Sequence, residues 1–228
     1  MPPILVFDVN ETLLDLRALR APFREVFGTP DVRAEWFQTL LHQAFLTTIT
    51  GPYVDFSTLG QQALTEVAEA RGRSLTSDEQ DLILTTMKEL PPHEEVEEAL
   101  AQLQDKNVRL VALSNGTPEV LEAQLASAGL RSAFEAVFSA DEVGRLKPAP
   151  EPYEYVAREL GVDPGDLCMV AAHAWDTRGA LRAGWSAAFV ARPGKRLAPG
   201  DPVPNIVAED LRGVAQQILN QLEEDDKA

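Results

Sequence analysis

Short apolar runs that end in polar residues constrain the fold of this chain more than any other feature. The first run, residues 4–7, reads Ile-Leu-Val-Phe and ends at Asp8. Continuous apolar runs of this length are typical of strands that are buried on both faces of a parallel sheet. Because ligands bind at the carboxyl edge of such sheets, an acid there favours a chemical role. Helix capping is the alternative role for Asp8.

The second part of the chain alternates between predicted helices and predicted strands. Pro91 and Pro92 precede this alternation. Strands are predicted at 108–113, 136–139, 167–170 and 187–191, with a short edge strand at 206–207, and helices at 94–104, 117–128, 151–160, 176–184 and from residue 211 onward. A polar loop is expected at 141–150. The alternation predicts an α/β fold, with a Rossmann-like parallel sheet and helices on both faces.

Residues 14–90 are predicted to be entirely helical. Their apolar side chains recur at three-and-four spacing, as in Leu40, Leu41, Ala44 and Phe45, and this period indicates amphipathic helices. An all-helical insertion after the first strand predicts a cap over Asp8. We therefore expect a core domain of residues 1–13 and 91–228, a cap subdomain of residues 14–90 and a solvated acidic tail at 223–228.

Composition excludes several classes of partner. The chain has 228 residues, 36 acidic and 20 basic side chains and a formal net charge of −16, which argues against binding nucleic acid or an anionic membrane surface. A small anionic substrate would need local cations. The sequence shows neither a signal peptide nor a run of about 20 apolar residues. Its single cysteine, Cys168, fits a reducing compartment, so we expect cytoplasmic residence and an inert core thiol.

Polar residues follow four of the predicted strands, where a parallel sheet brings strand ends together. They are Asp8 with Thr12, Ser114 with Asn115, Lys147, and Asp176. A lysine between two carboxylates favours their ionised forms. An ionised aspartate with an accessible face can act as a nucleophile and form an ester. The sequence therefore predicts an active site at this edge.

These residues also resemble known motifs. The sequences Phe7-Asp8-x-x-x-Thr12-Leu13, Leu113-Ser114-Asn115-Gly116 and Lys147-Pro148-x-Pro150-x-x-Tyr153, with an acid after the third long strand, are similar in order to the four motifs of the haloacid dehalogenase superfamily. Ser114-Asn115-Gly116, Tyr153, Ala174-Trp175-Asp176, Trp36 and Tyr53-Val54-Asp55-Phe56 most resemble the type II L-2-haloacid dehalogenases.

The resemblance implies a hydrolase of short-chain 2-haloacids that needs no metal or other cofactor. In such enzymes the residue matching Asp8 attacks the carbon that bears the halogen, and water then hydrolyses the aspartyl ester with inversion at carbon. Thr12 and Ser114 are expected to fix the nucleophile and the substrate carboxylate. Lys147 and Asp176 are expected to orient Asp8 and water, with Tyr153 anchoring one of them, Asn115 receiving the halide and Trp175 forming a wall. A homodimer is also implied.

Two alternatives remain open. A Mg²⁺-dependent phosphatase of the superfamily would carry a second Asp where this chain has Asn10, and usually a Gly-Asp pair four residues before the last acid, where it has Ala172. Asn10 is no proton donor at neutral pH, and Ala172 offers no oxygen ligand. A catalytically weak binding homologue is the second alternative, because Phe37 stands where the dehalogenases place a halide-binding Arg.

Other departures suggest compensations. Asn10 replaces a Tyr, Glu11 a Gly, Ala171 a Ser and His173 an Asn of the resembling family. We predict that Asn10 fills the space of the Tyr and contacts substrate, and that His173 acts as a general base or as a partner of Asp176. Arg33, one helical turn before Phe37, is predicted to reach the site. The remaining histidines, His42 and His93, are expected outside the catalytic set, and Phe23, Val26 and Phe27 are expected in the core or a cap interface.

Overall fold

A parallel sheet organises the computed structural model, which describes residues 4–225. Within this part of the chain six strands pair in the order β3-β2-β1-β4-β5-β6, every pair parallel. The strands are β1 (Ile4–Phe7), β2 (Leu110–Ser114), β3 (Ala136–Ser139), β4 (Leu167–Ala171), β5 (Ser186–Val190) and β6 (Ile206–Ala208). The predicted Rossmann-like α/β fold is confirmed.

The strand order creates one crevice at the carboxyl edge of the sheet. From β1 the chain builds toward β2 and β3 on one side and toward β4, β5 and β6 on the other. Phe7, the last residue of β1, pairs with Ala112 of β2 and Val170 of β4. The segments after β1 and β4 therefore leave the sheet side by side, at the switch point where open α/β sheets bind ligands.

Helices cover both faces of the sheet. In chain order the helices are α1 (Arg20–Phe27), α2 (Val32–Thr50), α3 (Phe56–Glu69), α4 (Ser77–Lys88), α5 (Val96–Asp105), α6 (Pro118–Ser127), α7 (Pro150–Leu160), α8 (Ala174–Arg182) and α9 (Leu211–Asp225). The first four lie in the insertion after β1, and the later ones alternate with the strands of the sheet. Alternate residues of β1 serve two apolar clusters: Leu5 and Phe7 pack into one, and Ile4 and Val6 into the other. This period of two is expected for a strand that is buried on both faces.

The predicted helical insertion, residues 14–90, lies between β1 and α5. A 3-10 turn (Leu16–Leu19) and helices α1 to α4 fill residues 16–88, and single bridges join Leu14 to Asn10 and Pro92. Trp36 of α2 donates to the Gly60 oxygen of α3 at 3.0 Å. We propose residues 14–90 as the cap subdomain.

Some element boundaries differ from the prediction. β2 covers 110–114 instead of 108–113, because the Val108 amide still closes the end of α5 on the Leu103 oxygen. The expected loop at 141–150 overlaps a 3-10 turn (Ala140–Val143), whose start is capped by Ser139 and Glu142. Pro2, Pro3 and residues 226–228 of the predicted acidic tail lie outside the described residues. None of the helices in the described part of the chain combines the length and apolar character that crossing a bilayer requires.

Candidate active site

The Asp8 carboxylate lies immediately after β1 and is buried. Its Oδ2 accepts a 2.7 Å hydrogen bond from Thr12 Oγ1, and that hydroxyl oxygen accepts the Ala172 amide at 2.9 Å. The loops after β1 and β4 thus hold the carboxylate jointly. Asp15, not Asp8, caps the following helical turn, where it accepts the Arg17 amide at 2.8 Å.

Lys147 joins the two predicted carboxylates. Its fully buried ammonium donates to Asp8 Oδ1 at 3.0 Å, to Asp176 Oδ2 at 2.6 Å and to the Leu113 oxygen at 2.9 Å. Three acceptors match the three hydrogens of an ammonium group. Burial opposes its charge, but Asp176 and Asp8 outweigh burial and raise the pKa of Lys147. The lysine is therefore cationic.

Asp8 is ionised. Burial alone would raise its pKa, but the charge of Lys147, the hydrogen bond and charge of His173 and the Thr12 hydroxyl together hold the pKa of Asp8 well below its usual range. Asp176 differs: burial raises its pKa more than Lys147 lowers it, and the charge of Asp8 adds to the increase. Of these two carboxyl groups, that of the predicted nucleophile is therefore the more acidic.

Tyr153 anchors Asp176, one of the two partners that the sequence left open. The phenol of this α7 residue donates to Asp176 Oδ1 at 2.6 Å. Burial and the Asp176 charge raise the pKa of Tyr153 well above its usual value, so the phenol keeps its proton. Gly179 makes room for it, because a Cβ there would lie 2.5 Å from Tyr153 Oη and 2.9 Å from Pro148 Cβ. Gly179 was not among the predicted site residues.

Asn115 and Ser114 shape the neighbouring strand end. The Asn115 side chain donates from Nδ2 to the Lys147 backbone oxygen at 3.2 Å, and its Oδ1 accepts a hydrogen bond from the Lys147 backbone N–H at 2.7 Å. Both contacts fix the backbone that carries the catalytic candidate Lys147. Ser114 is the last residue of β2, and its Oγ accepts the Gly116 amide at 3.1 Å.

His173 contacts Asp8 rather than its predicted partner Asp176. Its Nδ1 lies 3.1 Å from Asp8 Oδ2, and its Nε2 lies 3.0 Å from Glu11 Oε2. Of the two predicted roles of His173, the contact with Asp176 is wrong, because the Asp176 side chain turns toward Lys147 and Tyr153. His173 instead precedes α8 and faces the loop after β1, and its role as a general base stays a prediction. Glu11 also bonds Lys195, from the segment after β5.

The cap helix α2 contributes an aromatic side chain to this site. The ring centroid of Phe37 lies 6.3 Å from that of His173, and the Trp175 ring stacks on the His173 ring with 5.0 Å between centroids. The contact that Arg33 makes with the site is with Glu11, at 4.0 Å between Arg33 Nη1 and Glu11 Oε1. Arg33 is therefore paired with Glu11 and not with the nucleophile Asp8.

Asn10 faces a cavity between cap and core. Its Oδ1 accepts a 3.0 Å hydrogen bond from Gln124, which also donates to the Met87 oxygen at 2.7 Å. The cavity holds about 220 Å³, and Trp36 and Phe56 form part of its apolar wall. Gln124, Glu11 and Lys195 were not predicted as site residues, and no motif marks them. His42 is exposed and His93 half-buried.

A family model for haloacid dehalogenase-like hydrolases matches residues 3–184. This chain belongs to that family. It is accordingly a hydrolase, and the resemblance of its motifs to the superfamily is confirmed. Within residues 4–225 of this hydrolase, no group of three or more His, Cys, Asp or Glu side chains is arranged to hold a metal ion.

Known relatives cover most of the hydrolase. It is 28% identical to an (S)-2-haloacid dehalogenase of Pseudomonas sp. strain YL, over 93% of this chain and 92% of that one, and 33% identical to the Xanthobacter autotrophicus enzyme of that name, over 82% and 74%. A structure of the Xanthobacter L-2-haloacid dehalogenase superposes with a TM-score of 0.90 at 26% identity, covering 96% of this chain and 99% of that one. Another structure of that enzyme carries covalently bound chloropropionic acid.

Proposed function

We propose that this hydrolase removes the halogen from short-chain 2-haloacids through a covalent ester on Asp8, without a metal ion. The proposal depends on the buried, ionised carboxylate of Asp8, which lies at the switch point of the parallel sheet and is bound by Lys147 and Thr12. Two residues later the chain has an amide side chain, Asn10. Asn10 has no proton to exchange with a phosphate leaving group. A halide needs no such proton.

The first step is attack by Asp8 on the halogen-bearing carbon. Within residues 4–225, Lys147 is the one side chain that donates to Asp8 Oδ1, whereas Thr12 and His173 both contact Asp8 Oδ2. Oδ1 therefore keeps more lone-pair capacity, and we assign the attack to it. An oxygen–carbon bond forms while the carbon–halogen bond breaks, and the halide leaves with the bonding electrons. Asp8 becomes a neutral ester.

The second step is hydrolysis of that ester. Water adds to Asp8 Cγ, electrons move onto Oδ2, and collapse breaks the bond between Cγ and Oδ1. The 2-hydroxy acid leaves with Oδ1 and takes one proton from the added water, and the second proton passes to solvent. Lys147 and Asp176 are proposed to position the water, with Tyr153 holding Asp176 in place.

The remaining predicted residues surround the substrate in this proposal. Ser114 would donate its hydroxyl to the substrate carboxylate, and Asn115 has a second amide hydrogen for the halide. Trp175 and Phe37 would form apolar walls. Asn10 would line the entrance to the 220 Å³ cavity, whose size suits a short substrate side chain.

Location and assembly are part of the proposal. A reducing cytoplasm suits the single thiol, Cys168, which lies buried in β4 with a pKa that burial raises. A homodimer is proposed through the cap, where Leu46 and Ile49 near the end of α2 are exposed, Ile49 by 79%. Light scattering after size exclusion measures the mass, and a monomer at micromolar concentration would refute the dimer.

A substrate panel tests the activity. Halide release is measured with chloroacetate, bromoacetate, fluoroacetate and both enantiomers of 2-chloropropionate, with EDTA present, and phosphate release is measured in parallel with and without Mg²⁺. We expect halide release in EDTA that Asp8→Asn abolishes, while Asp31→Asn, at an exposed carboxylate before α2, leaves it unchanged. Phosphate release that requires Mg²⁺, without halide release, would contradict the proposal.

A further inference from the structure

His173 lies between two carboxylates. Its Nδ1 faces Asp8 Oδ2 at 3.1 Å, and its Nε2 faces Glu11 Oε2 at 3.0 Å. Ionised carboxylates only accept hydrogen bonds, and a neutral imidazole carries one N–H. Both contacts are hydrogen bonds only when both nitrogens carry protons. The geometry therefore requires an imidazolium cation in the resting site.

The surrounding charges agree with this requirement. Burial opposes the charge, but the hydrogen bonds with Asp8 and Glu11 outweigh it and raise the pKa of His173. Glu11 is itself ionised: burial would raise its pKa, but His173 and Lys195 lower it. The charged groups that face His173 directly or through these carboxylates are Asp8, Glu11, Asp176, Lys147, Lys195 and Arg33.

Aromatic rings enclose the other sides of the cation. The Trp175 ring stacks on the imidazole with 5.0 Å between centroids and 25° between planes, and Phe37 lies at 6.3 Å. A cation within about 6 Å of an aromatic face is attracted by the ring quadrupole. Phe37 is thus compatible with a neighbouring positive charge, whereas an arginine at that position would repel it. The positive charge of this site is supplied by the core rather than the cap.

Glu11 occupies an unfavourable backbone conformation. Its φ is +62°, in the left-handed region that most residues other than glycine avoid. Such conformations cost on the order of 1 kcal/mol and are retained where the surroundings enforce them. Here the Glu11 amide donates to the Leu14 oxygen at 3.0 Å, and the Glu11 carboxylate contacts His173 and Lys195.

We propose that His173, held charged and oriented by Glu11, stabilises the negative charge that forms on Asp8 Oδ2 when water attacks the aspartyl ester. This role rests on the proposed function. As water adds to Cγ, the carbonyl electrons move onto Oδ2, which then receives His173 Nδ1–H and the Thr12 hydroxyl. The present separations, 3.1 Å and 2.7 Å, lie in the range of effective oxyanion donors. His173 keeps its proton throughout, and Glu11 is a positioning residue.

Rapid-mixing experiments on His173→Gln test the proposal. Glutamine can donate to Oδ2 but carries no charge. We expect a stoichiometric burst of halide followed by a steady-state rate about 10² lower, the loss typical of a removed oxyanion donor. Mass spectrometry should detect the accumulated ester as an adduct on the Asp8 peptide. His42→Gln is the matched control, because His42 is exposed on α2, and both rates should stay within about twofold of wild type.

The pH profile separates this role from general-base catalysis. An oxyanion donor must stay charged, so the ester hydrolysis rate should fall as pH rises through the pKa of His173. A general base would produce the opposite slope. Glu11→Gln removes a negative charge from the cation, which lowers its pKa, so the fall should begin at lower pH. Glutamine is preferred to glycine there because glycine would also relax the backbone.

The outcomes are distinct. A burst with slow hydrolysis in His173→Gln, and an alkaline fall that Glu11→Gln moves to lower pH, support the proposal. Wild-type hydrolysis that falls toward acid pH, or a His173→Gln variant with unchanged turnover, overturns it. Failure of the proposed function looks different, because wild-type protein would then release no halide from any member of the substrate panel.

Discussion

The two oxygens of Asp8 face different environments. Oδ1 accepts from Lys147, whose side chain is fully buried and forms a closed network with those of Asp176 and Tyr153. Oδ2 faces the rim, where His173 is bonded to Glu11 and Glu11 to Lys195, whose side chain is 24% exposed. The interior network contains motif residues, whereas the rim network contains departures from the resembling family.

The difference separates two tasks. Charges in the interior are poorly screened and mutually dependent, because an unpaired charge there costs several kcal/mol. At the rim, Lys195 and Glu11 are partly exposed, so solvent and salt partly screen their charges, and a change at either is expected to shift pKa values and rates without unfolding the protein. We propose that the interior side makes Asp8 a nucleophile and that the rim side adjusts ester hydrolysis.

The largest effect is expected from Lys147→Met. The substitution leaves Asp8 and Asp176 facing each other without a cation, and breaking a buried ion pair costs about 3–5 kcal/mol. Halide release should become undetectable, and urea unfolding should show that loss of stability. Halide release at more than a tenth of the wild-type rate would contradict the interior assignment.

Gly179→Ala tests the same network more gently. The added methyl group would lie 2.5 Å from Tyr153 Oη, which must shift and weaken its hold on Asp176. We expect about 1–3 kcal/mol of destabilisation and a roughly tenfold lower turnover from a displaced water-positioning group. Gly165→Ala is the control, since a Cβ there meets nothing within 4 Å. Equal stability and turnover in the two variants would contradict a close packing of Tyr153 against Gly179.

Phe37→Arg tests the rim. A guanidinium beside the His173 ring disfavours the imidazolium and lowers the pKa of His173. The alkaline fall in turnover should therefore begin about one pH unit lower, whereas Phe37→Leu should leave it in place. A faster enzyme with an unmoved pH profile would instead show that the lack of a cap cation limits the rate.

Lys195→Met should have the smallest effect. Lys195 supports Glu11 from a partly exposed position, and such ion pairs contribute about 0–1 kcal/mol. Turnover should change less than about threefold at low salt, and the difference should shrink at 0.5 M salt as screening increases. A tenfold loss that persists at high salt would place Lys195 among the essential groups.

The sequence predicted the interior network well because its residues follow strands of one parallel sheet. Asp8, Ser114, Lys147 and Asp176 converge once the strand order is set. The rim could not be predicted in the same way. The contact between Glu11 and His173 spans 162 positions and depends on a positive φ at Glu11, and sequence periodicity carries no information about either. Likewise, the choice of Asp176 rather than Lys147 as the partner of Tyr153 depends on the rotation of α8, which carries Asp176.

A single-turnover experiment in H₂¹⁸O tests the central claim, that Asp8 forms an ester through its own oxygen. With enzyme in excess over a 2-haloacid, the first product should contain only ¹⁶O in its new hydroxyl group, because that oxygen comes from Asp8. The peptide that contains Asp8 should gain one ¹⁸O. An ¹⁸O-labelled product with an unlabelled Asp8 peptide would show direct attack by water and contradict the covalent mechanism.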